Sequence, residues 1–322
     1  MSLSPDECPY SDVPIGPVSD DHVFPEFLGG RKTVRICKDC NDRFGHSFEA
    51  RASVQLKRLQ VAISHLGVNL TRTNADWPSA FEKDGVTYDL EIVGGRPRTE
   101  VSRPMFKRDV AGTIIGGRTR TRAEAERIGS DLVRKGKTKR VEINADITEF
   151  EEVALSTNLS YDEDIFRLAA KIANNTAVLM GKRDLVKASG VGNYLHERAH
   201  GSIRPARCHL DAVRQRRPAL SHTVYIEFGP TWGHGYVILF GSMQIYVPMP
   251  AAQRGAMLGF LDPVTGEESF RTIEPLNIPW PPERWTPEQE NAFHSYVADL
   301  FIAEAKSRGA TGTVTWTPIP PR

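Results

Sequence analysis

Between Ser19 and Gly45 the chain sets a few chemically demanding residues in one order. The first run is Ser19-Asp20-Asp21-His22-Val23-Phe24-Pro25-Glu26-Phe27-Leu28-Gly29-Gly30, and Val34-Arg35-Ile36-Cys37-Lys38-Asp39-Cys40-Asn41-Asp42-Arg43-Phe44-Gly45 follows. An acid and a histidine at a strand end, a Gly-Gly turn and a second strand predict a hairpin, and a helix is expected to open at Asn41. Neighbouring strand side chains point to opposite faces, so Asp21 and His22 cannot perform the same task. One can hold a metal while the other takes a proton. The amide oxygen of Asn41 can serve the same ion, and such hard oxygen donors suit magnesium or manganese better than zinc.

This ordered set resembles the HNH endonuclease family, in the branch that couples an acidic-His-x-x-Pro run and a Gly-Gly turn to Cys-x-x-Cys-Asn, and the likeness spans Cys8 to about Glu49. The resemblance implies a ββα-metal fold, with His22 as the base that activates water, Asp21 and Asn41 as metal ligands, and DNA as substrate. A neutral imidazole accepts a proton near pH 7, and a divalent ion offsets charge that develops on the phosphate. Arg31, Lys32, Arg35, Lys38 and Arg43, interleaved with the motif, are the candidate phosphate contacts.

Two departures from the family pattern matter. The family pairs its Cys-x-x-Cys with an earlier one to hold a structural zinc, whereas here Cys8 is followed three residues later by Ser11. Cys8, Cys37 and Cys40 then bind zinc with a substitute such as Asp12 or water, or packing alone holds the fold. The second histidine that many members carry would fall at Gly45, and His46 is one step too far round the helix. Three of four cysteines within 40 residues, in a chain with no signal-peptide core and no apolar run near the roughly 20 residues of a membrane span, favour metal over disulfide and a cytoplasmic location.

The 322-residue chain is long enough for two or three domains, and its organisation reads as 1–67, the nuclease module; 68–158, a basic α+β segment; and 159–322, a helical and β-meander domain. Net charge is only +1, yet residues 91–140 carry 14 Lys and Arg against 6 Asp and Glu. Apolar steps at Phe44, Phe48, Ala52, Leu56, Leu59, Ile63 and Leu66 predict one long helix stopped by Gly67. Thr87–Val93 and Arg96–Val101 flank a Gly-Gly turn, Thr121 with Glu124 caps a basic helix, and Lys139–Ile147 reads as a strand. A capping box at Ser160 and Glu163 opens a buried helix. Thr223–Phe228, Tyr236–Phe240 and Gln244–Val247 form an antiparallel meander, and Thr286 caps a last helix before a polar tail.

Two further readings come from other classes. His196-Glu197-Arg198-Ala199-His200 fits the His-Glu-x-x-His form of zinc metallopeptidases, although the helix would be short and the expected third ligand is missing. A non-catalytic, zinc-stabilised nucleic-acid-binding protein is the other. The arginines from Arg204 to Arg217 can meet phosphates or solvate a face, and Cys208-His209 reads as structural.

Overall fold

The computed structural model describes residues 7–11, 17–65, 68, 70, 76–83, 85–93, 96–112, 114–119, 121–137, 161–198, 205–208, 220–276, 278, 299, 302, 303, 306 and 307. Strands β1 (Val18–His22) and β2 (Thr33–Cys37) pair antiparallel, with Val18 opposite Cys37 and His22 opposite Thr33. Pro25 leads into a single 3-10 turn that ends on Gly29 at a left-handed φ of 93°. At Gly30 a Cβ would lie 1.8 Å from the Phe24 carbonyl oxygen, so both glycines are required by the turn they make. Helix α1 (Lys38–His46) follows directly, capped by the Cys37 sulfur, which accepts from the Cys40 N–H.

Two expectations are corrected here. The helix opens at Lys38, which places Asn41 inside its first turns. The single long helix is two, because Ser47, at φ −108° and ψ −112°, breaks it before α2 (Phe48–His65). The apolar spacing survives the break, and Phe44, Phe48, Ala52, Leu56 and Ile63 are all fully buried.

The chain divides into two compact units, Met1–Asn74 with Leu159–Arg322, and Ala75–Asn158. In the second, β3 (Asp76–Lys83), β4 (Val86–Val93) and β5 (Arg96–Val101) make a three-stranded antiparallel sheet. β6 (Met105–Arg108) and β7 (Ile114–Arg118) make a separate hairpin, and α3 (Arg122–Arg134) is capped by Thr121 Oγ1 as the sequence predicts. The register slips between Trp77 and Phe81, where Ser79 has a φ of 53° and the Asp89 carboxylate accepts its N–H.

In the first unit, α4 (Glu163–Leu179) is the central element, followed by α5 (Arg183–Ala188) and α6 (Val191–Leu195). Its N-cap is Asp162, whose carboxylate accepts from the N–H groups of Asp164 and Ile165. The chain then lays down β8 (Ala206–Arg207), β9 (His222–Phe228), β10 (Gly233–Leu239), β11 (Met243–Met249), β12 (Gly255–Leu261) and β13 (Glu268–Ile273). They form one antiparallel sheet in the order β13-β12-β9-β10-β11-β8. The meander is therefore present and extended, because β12 returns to the free side of β9.

Helix α4 packs against α2 and β2 on one side and against β9, β10 and β11 on the other. A Cβ on Gly235 of β10 would sit 3.1 Å from that of Ala173, so the glycine admits α4 at close range. One apolar core results, running from Phe24, Leu28 and Ile36 through Ile172 to Val224, Val237 and Val247. Each such side chain contributes about 1.5–3 kcal/mol on burial, which seats the hairpin on α4. The other face of the sheet buries Tyr225, Tyr236, Tyr246 and Leu258. The protein is thus α+β, with antiparallel sheets and an N-terminal ββα region. Among the described residues no helix is long and apolar enough to cross a membrane. The expected strand Lys139–Ile147, the helix after Thr286, the polar tail, Asp12, Ser160, His200, Arg204, His209 and the arginines from 214 to 217 lie outside the described residues.

Candidate active site and metal centre

A cleft of about 390 Å³ is lined by Asp20, Asp21, His22, Asn41, Glu49 and Lys171, among others. Strand alternation, with α4 lying against the hairpin, decides the fate of the two key strand residues. Asp21 is 3% exposed, and His22 is half-buried on the cleft wall. The Asp21 carboxylate accepts from Lys171 Nζ at 2.5 Å and from Asn175 Nδ2 at 2.8 Å. Lys171 also pairs with Glu49. Burial by itself would lower the lysine's pKa, but Glu49 and Asp21 outweigh it and hold the ammonium above its ordinary value. Burial raises the Glu49 carboxyl, and the charge of Lys171 opposes it.

Asn175 organises this corner. Tyr10 donates its hydroxyl to Asn175 Oδ1 at 2.5 Å, which turns the amide nitrogen toward Asp21 and toward the His22 carbonyl, 3.2 Å away. Burial is the chief reason the Tyr10 hydroxyl is held above its usual range. Asn41 pins the helix to the strand, its Nδ2 donating to Ser19 Oγ at 2.8 Å and to the Asp20 carbonyl at 3.1 Å. Gly45 lines the cleft and His46 is exposed, so Glu49 is the residue that brings α2's charge into it.

Cys8, Cys37 and Cys40 converge as well. All three are buried and free, and their sulfurs lie within 4.8 Å of one another. Hydrogen bonding from Cys40, against the effect of burial, draws the Cys8 thiol down to about 5, and the same contact pushes Cys40 well up. His196, which follows α6, places Nε2 3.3 Å from Cys40 Sγ.

The His-Glu-x-x-His geometry of a metallopeptidase needs both leading residues on one helix, and α6 stops at Leu195. His196 is its C-cap, and Glu197 adopts a left-handed φ of 59°. Glu197 is also paired with Arg51 and Arg167. The five candidate phosphate contacts, Arg31, Lys32, Arg35, Lys38 and Arg43, are all exposed, although Lys38 is bridged to Asp42 at 2.6 Å. Burial pushes the Cys208 thiol up to about 12, as for a structural thiol.

Sequence reading missed Lys171, Asn175, Glu49 and the position of His196. One signal was available: Arg167, Lys171 and Asn175 are polar residues at steps of four on a helix whose middle is largely apolar, which makes a polar stripe on one face.

No curated protein and no solved structure matches the chain. Residues 12–57, which hold the hairpin, α1 and the first half of α2, match the HNH endonuclease family model.

Proposed function

We propose that the protein is a metal-dependent endonuclease that hydrolyses DNA phosphodiester bonds in the cleft between the hairpin and α4. What carries the reading is the meeting of Asp21, His22, Asn41 and Glu49 on one cleft inside the family-matched segment.

The donors suit a hard divalent ion. Two carboxylates, Asp21 and Glu49, already converge on one cationic group, the Lys171 ammonium, and Asn41 lines the same cleft. Asp21 and Asn41, with Glu49 added, would hold magnesium or manganese, and the bound ion supplies Lewis-acid charge beside the scissile phosphate. His22 takes the proton of the attacking water from the accessible wall. Asn175, through the His22 carbonyl and the Asp21 carboxylate, fixes the strand end that carries both. Lys171 pairs with both Asp21 and Glu49 beside the cleft. Arg31, Lys32, Arg35, Lys38 and Arg43 hold the DNA backbone, and the three thiols serve a structural zinc.

Plasmid cleavage with magnesium or manganese, and with chelator, tests this. Wild type should nick or cut only with metal, Asp21→Asn should lose most activity, and metal-independent or absent cleavage overturns the reading. A second reading, a nucleic-acid-binding scaffold without catalysis, is favoured by the buried pairing of Asp21 with Lys171. DNA binding without cleavage in either metal would select it.

A further inference from the structure

We propose that His196 is the fourth ligand of a Cys3His zinc site completed by Cys8, Cys37 and Cys40. The inference rests on the three-thiolate reading given above and is independent of catalysis.

The geometry comes first. Tetrahedral zinc holds sulfur at about 2.3 Å and imidazole nitrogen at about 2.0–2.1 Å, which sets a sulfur and a nitrogen ligand roughly 3.6 Å apart. His196 Nε2 lies 3.3 Å from Cys40 Sγ, and the three sulfurs are mutually within 4.8 Å. Three sulfurs thus occupy the space of one coordination shell, and this nitrogen borders it at Cys40. Three buried thiols and an imidazole side by side make poor hydrogen-bond partners, whereas a zinc ion satisfies all four at once. The shell that Ser11 leaves incomplete is closed without calling on Asp12 or water.

The second observation is that the fold goes to some length to bring His196 there. A Cβ on Gly192 of α6 would lie 2.3 Å from the Tyr10 carbonyl oxygen, so only glycine lets α6 press on the strand of chain that carries Cys8. Phe44, on α1, packs its ring 5.2 Å from the imidazole. Immediately after it the backbone turns at Glu197 in a left-handed conformation, and Arg51 of α2 with Arg167 of α4 holds that carboxylate. A non-glycine residue in that conformation is strained, and the ion pairs keep it in place. The imidazole is therefore fixed from three directions with Nε2 toward Cys40 Sγ. Its Nδ1 is buried without a hydrogen-bond partner.

The test uses the full chain, purified with zinc present, and needs no activity. X-ray absorption of the wild-type protein should show one zinc per chain with three sulfurs and one nitrogen, including the outer-shell scattering of an imidazole that a water ligand lacks. In competition with a chelator, His196→Ala should weaken zinc retention by more than the roughly 10–100-fold that outer-shell changes cost. His196→Cys should recover it with four sulfurs. Zinc present without imidazole scattering, and held equally by His196→Ala, overturns the assignment of His196 while the thiolate reading stands. Wild type that binds no zinc overturns both. The wild-type spectrum decides even where His196→Ala fails to fold.

Discussion

At the Asp21 corner the meeting groups are carboxylates and an ammonium, and at the Cys37 corner they are sulfurs and an imidazole. Both corners draw on the same hairpin and α1, and both are completed by residues far along the chain, Lys171 and Asn175 in one case and His196 in the other. Their electrostatics differ in kind. The first is already compensated, since Lys171 neutralises much of the charge on Asp21 and Glu49 within the protein. In the second no cationic side chain bonds the sulfurs among the described residues, so full ionisation of the three thiols requires an added cation. The first corner is thus closed by groups of the protein itself, and the second is the place where an added cation would act.

The largest effect should be kinetic and confined to the oxygen corner. His22→Ala is expected to lower cleavage by about 10²–10⁴-fold with DNA binding retained, because a general base acts in the chemical step. Plasmid turnover beside a binding titration measures this, and equal turnover by wild type would remove His22 from the mechanism. Next comes Lys171→Met, which strands the buried Asp21 and the half-buried Glu49. Its cost should be about 3–5 kcal/mol in chelator, part of it recovered on adding magnesium or manganese. Melting that ignores the metal would mean that no ion enters between Asp21 and Glu49.

The sulfur corner should show the converse dependence. Cys37→Ser or Cys40→Ser should lose about 2 kcal/mol or more in zinc-replete buffer and little further in chelator, while Ser11→Cys should change stability by under about 0.5 kcal/mol. Chemical denaturation in both buffers checks it, and a strongly stabilising Ser11→Cys would mean that the shell is open.

The smallest effect separates both corners from the sheet. His222 is fully buried, its Nδ1 accepts from the Phe240 N–H, and burial pushes its pKa down to about 3. The unfolded chain, titrating near 6.5, binds the extra proton between those values. The stability that neutral His222 supplies is thus complete above pH 6.5 and falls as pH drops toward 3, by about 1 kcal/mol over the first unit. His222→Gln should flatten this part of the stability profile relative to wild type. An unchanged profile would assign the acid sensitivity elsewhere, the oxygen corner included.

Legibility in the sequence followed how local each constraint is. Gly29 and Gly30 announced the turn because a left-handed φ and a 1.8 Å collision are local facts. The Asp21-His22 and Cys37-x-x-Cys40-Asn41 spacings were visible for the same reason. The break at Ser47 was hidden because it costs no apolar position, so the periodicity from Phe44 to Ile63 runs on through two helices. Strand β12 was obscured by Gly259, which weakens a strand pattern but is demanded by Phe270 and Val224, within 2.5 and 2.6 Å of where its Cβ would stand. Glu49, Lys171, Asn175 and His196 become site residues only through packing over long separations. A lysine on an apolar helix hints at a buried partner without naming it.

Those separations also set a clock. Lys171 follows its partner Glu49 by 122 positions, and His196 follows Cys40 by 156. At ordinary translation rates the hairpin is made on the order of ten seconds before either arrives. In that interval Asp21 and Glu49 face water without their counter-charge, and the cysteines lack the imidazole. The module cannot reach its final form until synthesis has passed α6, which ties the onset of any nuclease activity to how far along the ribosome has read.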